Sequence, residues 1–210
     1  RYIGPPKINY FPSKSLTVPV DKQQVIKDGM VSVVDSAYIP QSLVINLPGS
    51  AIIKPNLAII DIVANNFPQR PIYFGTTLPS EYQMGLGRYL QLEGLAQKLV
   101  PLNTAAAGKP VNVEKTYDLL VNKFKFRGTN NPDIYMDETA RRQVSYYRRV
   151  FFELAEVLER EGKTDMLRTL LNKDEGVIPL EMDPLFETNP LVKYDFSANE
   201  VNKASKLTEW

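Results

Sequence analysis

Leu43-Val-Ile-Asn-Leu47, the run from Pro55 to Phe67, and Pro71-Ile-Tyr-Phe-Gly-Thr-Thr77 decide the fold class of this chain. The first is a short apolar run closed by Pro48-Gly49, the pattern of a strand that ends in a turn. Pro55 suits the first turn of a helix, where its missing N–H costs nothing. Leu57, Ile60, Val63, Ala64 and Phe67 then follow helical spacing, and Pro68 ends the run. Ile59 and Ile62 widen the apolar face, so this helix is expected to be buried on most sides. The third stretch is β-branched and aromatic and reads as a strand. Strand, helix and strand within this span predict a βαβ unit with a right-handed crossover.

The pattern changes on either side. Residues 1–19 are rich in proline and lack a helical period, predicting an extended arm. Asp21 is placed to cap a short helix through Lys27, which Gly29 stops. A short helix around Ser80–Gly87 and a strand around Leu95–Leu102 would extend the sheet. Thr104-Ala-Ala-Ala-Gly-Lys-Pro110 is a loop, and Val113–Val121 reads as helical with Tyr117, Leu120 and Val121 on one face.

Asp137 is a good N-cap for a helix running to Glu161, with Gly162 as its stop. Ala140, Val144, Tyr147, Phe151, Leu154 and Leu158 form its packing seam. A second helix, about Thr164 to Lys173, follows after a short loop, so the two should lie antiparallel. The pair resembles one tetratricopeptide-type hairpin. From Pro179 the chain is proline-punctuated, with a short amphipathic stretch before Trp210. The expected fold is α/β (α+β): a small mixed sheet with a βαβ unit, followed by a tetratricopeptide-like α-helical hairpin. An α/β subdomain would span 1–110, and a mainly helical subdomain with an irregular tail 111–210.

The 210 residues are 43% hydrophobic and 23% charged, an ordinary globular composition. Net charge is +1, so no global field draws in nucleic acid or an anionic surface. Cysteine and histidine are absent. That removes disulfides, thiolate zinc sites, thiol nucleophiles and the Ser-His-Asp triad. No run of 18 apolar residues exists, because Lys54, Asn56 and Asp61 interrupt the longest stretch. The chain starts at Arg1 rather than methionine, as expected of a processed or excised piece of a longer protein.

Few residues announce chemistry. Gly85-Leu-Gly87-Arg-Tyr-Leu90 fails the dinucleotide-loop pattern, since leucine stands where the third glycine is needed. Asp61 is either a buried acid or, with Asn65 four residues on, a narrow polar stripe, and the stripe is the commoner origin of such spacing. Lys123-Phe-Lys-Phe-Arg127 alternates as a strand does, with Lys123, Lys125 and Arg127 on one face. That face suits lipid headgroups or a phosphorylated ligand, although a half-buried edge strand gives the same pattern more often. Arg141, Arg142, Arg148 and Arg149 form two i,i+7 pairs, a basic strip or one part of a solvated face of mixed sign. Tyr73 and Tyr89 with Gln91 and Glu93 could line a groove fit for sugar or peptide, or could equally be core tyrosines beside a surface carboxylate. No residue qualifies as catalytic or metal-binding, and no cofactor is implied.

Arg70-Pro-Ile-Tyr-Phe74, Tyr89-Leu-Gln-Leu-Glu-Gly-Leu-Ala-Gln-Lys-Leu-Val-Pro101, Tyr117-Asp-Leu-Leu-Val-Asn-Lys-Phe-Lys-Phe-Arg-Gly128 and Tyr135-Met-Asp-Glu138 occur here in one order. Together they resemble the C-terminal region of a bacterial family of multi-span membrane proteins of unknown function. The N-terminal half of that family is similar to lipid-sugar-dependent protein O-mannosyltransferases. A related vertebrate transmembrane O-mannosyltransferase also ends in a tetratricopeptide-like region. The likeness covers roughly residues 15 to 175. It implies a soluble periplasmic accessory domain whose parent's catalytic carboxylate lies outside this sequence, so no catalytic residue carries over. Its implied partners are the membrane-embedded remainder of the same polypeptide and an acceptor protein or glycan, with the helical hairpin as contact surface and no nucleic acid. A carbohydrate- or small-ligand-binding domain, or a purely structural one, is the alternative. Asp35-Ser36-Ala37 also resembles a three-residue O-glycosylation signal, which an ordinary turn explains as well.

Overall fold

A computed structural model describes residues 13–49 and 52–179. The arm before residue 13 and the tail from residue 180, with its amphipathic stretch, lie outside the described residues. The class is mixed α/β, as expected. The elements in order are β1 (Ser15–Pro19), α1 (Lys22–Lys27), β2 (Ser42–Asn46), α2 (Lys54–Asn66), β3 (Tyr73–Gly75), β4 (Leu90–Glu93), β5 (Ala96–Leu99), α3 (Val113–Tyr117), α4 (Glu138–Arg160) and α5 (Thr164–Val177). Short 3-10 turns cover Val33–Tyr38, Ser80–Gln83 and Leu86–Tyr89, and a π-turn, Asp118–Lys123, continues α3. The helix expected around Ser80–Gly87 is therefore two 3-10 turns, hinged at Met84 and Gly85, both left-handed.

Two compact units result. Among the described residues the first comprises 13–49, 52–74, 78–91 and 98–110, and the second 75–77, 92–97 and 111–179. Each has its own apolar cluster. That of the first is built on Val25, Leu43, Ile45, Val63 and Leu86. That of the second is built on Leu120, Phe151, Leu154, Leu158 and Leu170.

In the first unit β1 and β2 pair antiparallel, with Val18 opposite Leu43 and Leu16 opposite Ile45. Leu43 and Ile45 point inward and are fully buried, so the period of two fixes the register. This corrects the βαβ expectation. β2 lies in the two-stranded sheet, whereas β3 belongs to a three-stranded sheet of order β3-β5-β4. β4 and β5 are joined by only Gly94 and Leu95 and form a hairpin. Such a local closure costs less chain entropy than a parallel crossover, and it offers β3 an edge.

Helix α2 packs less than its composition suggests. Asn56 and Val63 are buried and Ile59 and Ile60 half-buried, while Leu57 and Ile62 remain 46% and 48% exposed. The face is rotated by about one position from the expected one. Asn56 Oδ1 accepts the Ile53 N–H at 3.2 Å, and its amide nitrogen meets the Met84 sulfur at 3.5 Å. That inward asparagine turns Leu57 and Ala64 outward. Asp61 is exposed and accepts from Asn65 Nδ2 at 2.9 Å, the polar stripe.

In the second unit Asp137 caps α4 by accepting the Ala140 N–H at 2.7 Å. In the seam of α4 Val144, Phe151, Leu154 and Leu158 are buried and Tyr147 half-buried, and Gly162, at φ +69°, stops the helix. Residues 161–163 join α4 to α5, and the two pack into the expected hairpin. α5 runs to Val177, beyond the expected end. Its last carbonyls are taken by side chains. Asn130 Nδ2 donates to Gly176 O at 3.3 Å, Thr129 Oγ1 to Val177 O, and the Arg148 guanidinium to Ile178 O and Pro179 O. A helix end leaves its last four carbonyls without intrahelical partners; here two of them, Gly176 O and Val177 O, are capped from outside α5, and Arg148 holds the two residues just beyond it.

Candidate functional site

The groove proposed for Tyr73, Tyr89, Gln91 and Glu93 is not displayed by these residues. Tyr73 is exposed, but Tyr89 is buried in the apolar cluster of the first unit. Gln91 is half-buried, and its amide donates to Lys109 O at 3.1 Å. Glu93 is a buried carboxylate, 3% exposed at its side chain, with Lys115 Nζ at 2.5 Å and Asn112 Nδ2 at 3.3 Å. Burial is costly for a carboxylate without a partner, and Lys115 provides one. Asn112 also caps α3 by accepting the Lys115 N–H at 3.2 Å. Tyr89 and Glu93 are thus interior rather than surface groups, Tyr89 because it closes the 3-10 turn Leu86–Tyr89 into the apolar cluster of the first unit, and Glu93 because Lys115 pairs with it where it is buried.

The rest of that stretch is structural too. Gly94 turns the β4–β5 hairpin at φ +64°. A Cβ there would stand 2.8 Å from Leu119 Cδ1 and 3.1 Å from the Phe124 ring. Its N–H donates to Thr116 Oγ1 at 3.2 Å, and the Thr116 hydroxyl donates to Leu92 O at 3.0 Å.

The basic residues divide. Lys123 pairs with Asp118 at 2.5 Å, and the hydrogen bond from Lys123, then that from Asn122, holds the Asp118 carboxyl below its usual range. Arg142 pairs with Glu138 at 2.7 Å and Arg149 with Glu153 at 3.0 Å. Surface pairs of this kind contribute little to stability. Lys125, Arg127 and Arg141 stand exposed. Residues 124–126 form no strand, although Phe124 and Phe126 still turn inward, and Phe126 packs at 5.8 Å from Tyr147 and 5.6 Å from Phe151. Arg148 is a correction. Only 2% exposed at its side chain, it faces Asp174 at 3.9 Å and the carbonyls ending α5, and so belongs to no surface strip. Among the described residues no group of acids could hold a metal ion, and no helix is long and apolar enough to cross a membrane.

The surface shows apolar side chains that sequence reasoning missed. In the turn Val33–Tyr38, Val34 is 85% and Val33 69% exposed, with Met30 and Tyr38 exposed beside them in sequence. Adjacent β-branched residues in a Ser/Asp-containing segment have no periodicity that would mark a face, so no signal singled them out. Asp35 lies between them and points inward, taking hydrogen bonds from Lys109 Nζ at 2.9 and 2.7 Å. The acid of the Asp35-Ser36-Ala37 motif is therefore engaged by Lys109, an anchor for the turn rather than a displayed recognition group.

Fold and surface define a class: a mixed α/β unit and a helical hairpin, with buried charges held in internal pairs and apolar side chains presented outward. The chain belongs to the family described as TMEM260-associated domain 2, whose model matches residues 2–117. No curated protein and no solved structure matches it.

Proposed function

We propose that this chain is a non-catalytic, extracytoplasmic domain of a multi-span membrane protein related to lipid-sugar-dependent protein O-mannosyltransferases. It occupies the C-terminal, periplasmic part of a bacterial parent and contacts an acceptor protein or the membrane-embedded remainder of its polypeptide. The observation that carries this reading is the family match over residues 2–117, a span in which α2 turns Leu57 and Ile62 outward. A protein contact on this helix would cover both side chains, and contiguous apolar patches are where such contacts form. The exposed cations Lys125, Arg127 and Arg141 supply polar contacts beside the hairpin.

A photo-crosslinking amino acid at Leu57 or Ile62 in the full-length parent tests the contact. Crosslinks to membrane-embedded segments or to an acceptor polypeptide are expected, and their absence at both positions removes the contact surface. The purified chain supplied with a polyprenyl-phosphate sugar and an acceptor peptide should transfer nothing. Robust transfer by the chain alone overturns the non-catalytic reading.

A further inference from the structure

We infer that the turn Val33–Tyr38 is a shallow bilayer-contact element, with Val33 and Val34 entering the interfacial region of a phospholipid surface between Met30 and Tyr38. This rests on the membrane-attached reading above and adds to it a surface and a ligand. Five observations favour lipid over a protein partner. The two valines are the most exposed large aliphatic side chains described, at 69% and 85%, so they project rather than line a field that a partner could match. A lipid interface takes a projecting apolar turn without shape complementarity.

Several backbone groups of the turn already have protein partners. The Val34 N–H donates to Ser32 Oγ, the Asp35 N–H to Ser32 O and the Ile39 N–H to Ser36 O, while Tyr38 O accepts from the Asn103 N–H. Polar backbone groups entering an apolar phase need such partners. The acid of the turn, Asp35, is folded back onto Lys109 and presents no negative charge outward. In the flanking helix Lys22 and Lys27 are balanced by Asp21 and Asp28, so the contact is apolar rather than electrostatic. Tyr38 has the amphipathic character of side chains enriched at headgroup level. Two valines form a marginal anchor alone, but attachment to a membrane-embedded chain raises their effective concentration.

The chain contains no histidine, so a hexahistidine tag at either terminus is a clean tether to nickel-chelating lipid in phosphatidylcholine vesicles. Val34→Trp in a Trp210→Phe background then carries the sole tryptophan. Its emission should shift to the blue and be quenched by lipids brominated in the upper acyl chain, with little change when salt is raised. Tyr135→Trp in the same background, at a position 87% exposed, should show neither effect. Adding Val33→Asp should abolish the quenching while leaving the circular dichroism spectrum unchanged. The inference is overturned if Val34→Trp stays unquenched with the tag at either end. It is also overturned if the blue shift occurs without lipid and sedimentation shows a dimer, since the turn is then a contact between copies. Neither result bears on sugar transfer by the chain, so failure here and failure of the accessory-domain reading are distinguishable.

Discussion

Gly94→Ala tests whether the β4–β5 turn is locked by its neighbours. At φ +64° an alanine bears the left-handed penalty, about 1–2 kcal/mol. Its Cβ also meets Leu119 Cδ1 at 2.8 Å and the Phe124 ring at 3.1 Å, distances at which the neighbours must shift. Leu119 is half-buried and its methyl can give, whereas the Phe124 ring packs edge-on against Phe126 at 6.5 Å. Overpacking of that kind adds about 1–2 kcal/mol, so the total is about 2–4 kcal/mol. Gly162→Ala is the control in the same unit: φ is +69°, and nothing stands within 4 Å of the added Cβ. It bears the conformational term alone, about 1–2 kcal/mol. Urea denaturation followed by tyrosine fluorescence and far-UV circular dichroism gives both values. If Gly94→Ala costs no more than Gly162→Ala, the close-packed turn is wrong, and with it the structural account of the Tyr89–Pro101 stretch.

Other perturbations probe the buried charges and the surface. Lys115→Met removes the cation beside Glu93 and should cost about 1–3 kcal/mol, limited because Lys115 is itself half-exposed. Adding Glu93→Gln should recover most of the loss, and strictly additive effects in the denaturation cycle would show that the two groups do not interact. Arg148→Met should cost about 3–5 kcal/mol, because it strips the carbonyls ending α5 and leaves Asp174 buried without its facing guanidinium. Calorimetry showing a loss below about 1 kcal/mol would place Arg148 outside the packed hairpin. The Asp118 carboxyl, lowered by its Lys123 and Asn122 hydrogen bonds, favours the folded state above the usual carboxylate range and loses that contribution as pH falls through its lowered value. A carboxyl NMR titration should show this midpoint below those of ordinary aspartates, and Lys123→Gln should move it upward. Tyr73→Ala removes the exposed tyrosine of β3 and should leave the melting temperature nearly unchanged, while any glycan affinity lost in calorimetric titration would revive the sugar-binding alternative.

Where structure follows from local chemistry, the sequence was readable. The Asp21 cap binds the Gln23 and Gln24 N–H groups, and the Asp137 cap binds that of Ala140, each within three residues of the chain. The seam of α4 follows from spacing alone. The hairpin Leu90–Leu99 was not legible, because Gly94-Leu95 lacks the Asn-Gly or Asp-Gly pair that marks a two-residue turn. Partners distant in sequence were also silent: Asp35 meets Lys109 across 74 positions, and Glu93 meets Lys115 across 22. Arg148 shows how periodicity misleads. It shares a face with Arg141 by an i,i+7 step, yet it also stands four after Val144 and three before Phe151. It lies at the margin of the seam, and α5, with Asp174 and the carbonyls of Ile178 and Pro179, draws it inward.

The same division separates family signature from working surface. The Tyr89–Pro101 stretch is distinctive because three packing demands coincide there. Tyr89 fills the core, Glu93 is neutralised by Lys115, and Gly94 must lack a side chain. Each identity is explained by folding, with nothing left over that requires a ligand. Val33, Val34, Leu57 and Ile62 are the reverse case: folding buries none of them, and each exposes apolar area that stabilises the chain only when something covers it. Packing within the unit does not account for these four identities, so they are the positions at which the proposed contacts are to be tested. The turn and the outer face of α2 are therefore where substitutions should alter association while leaving the fold intact.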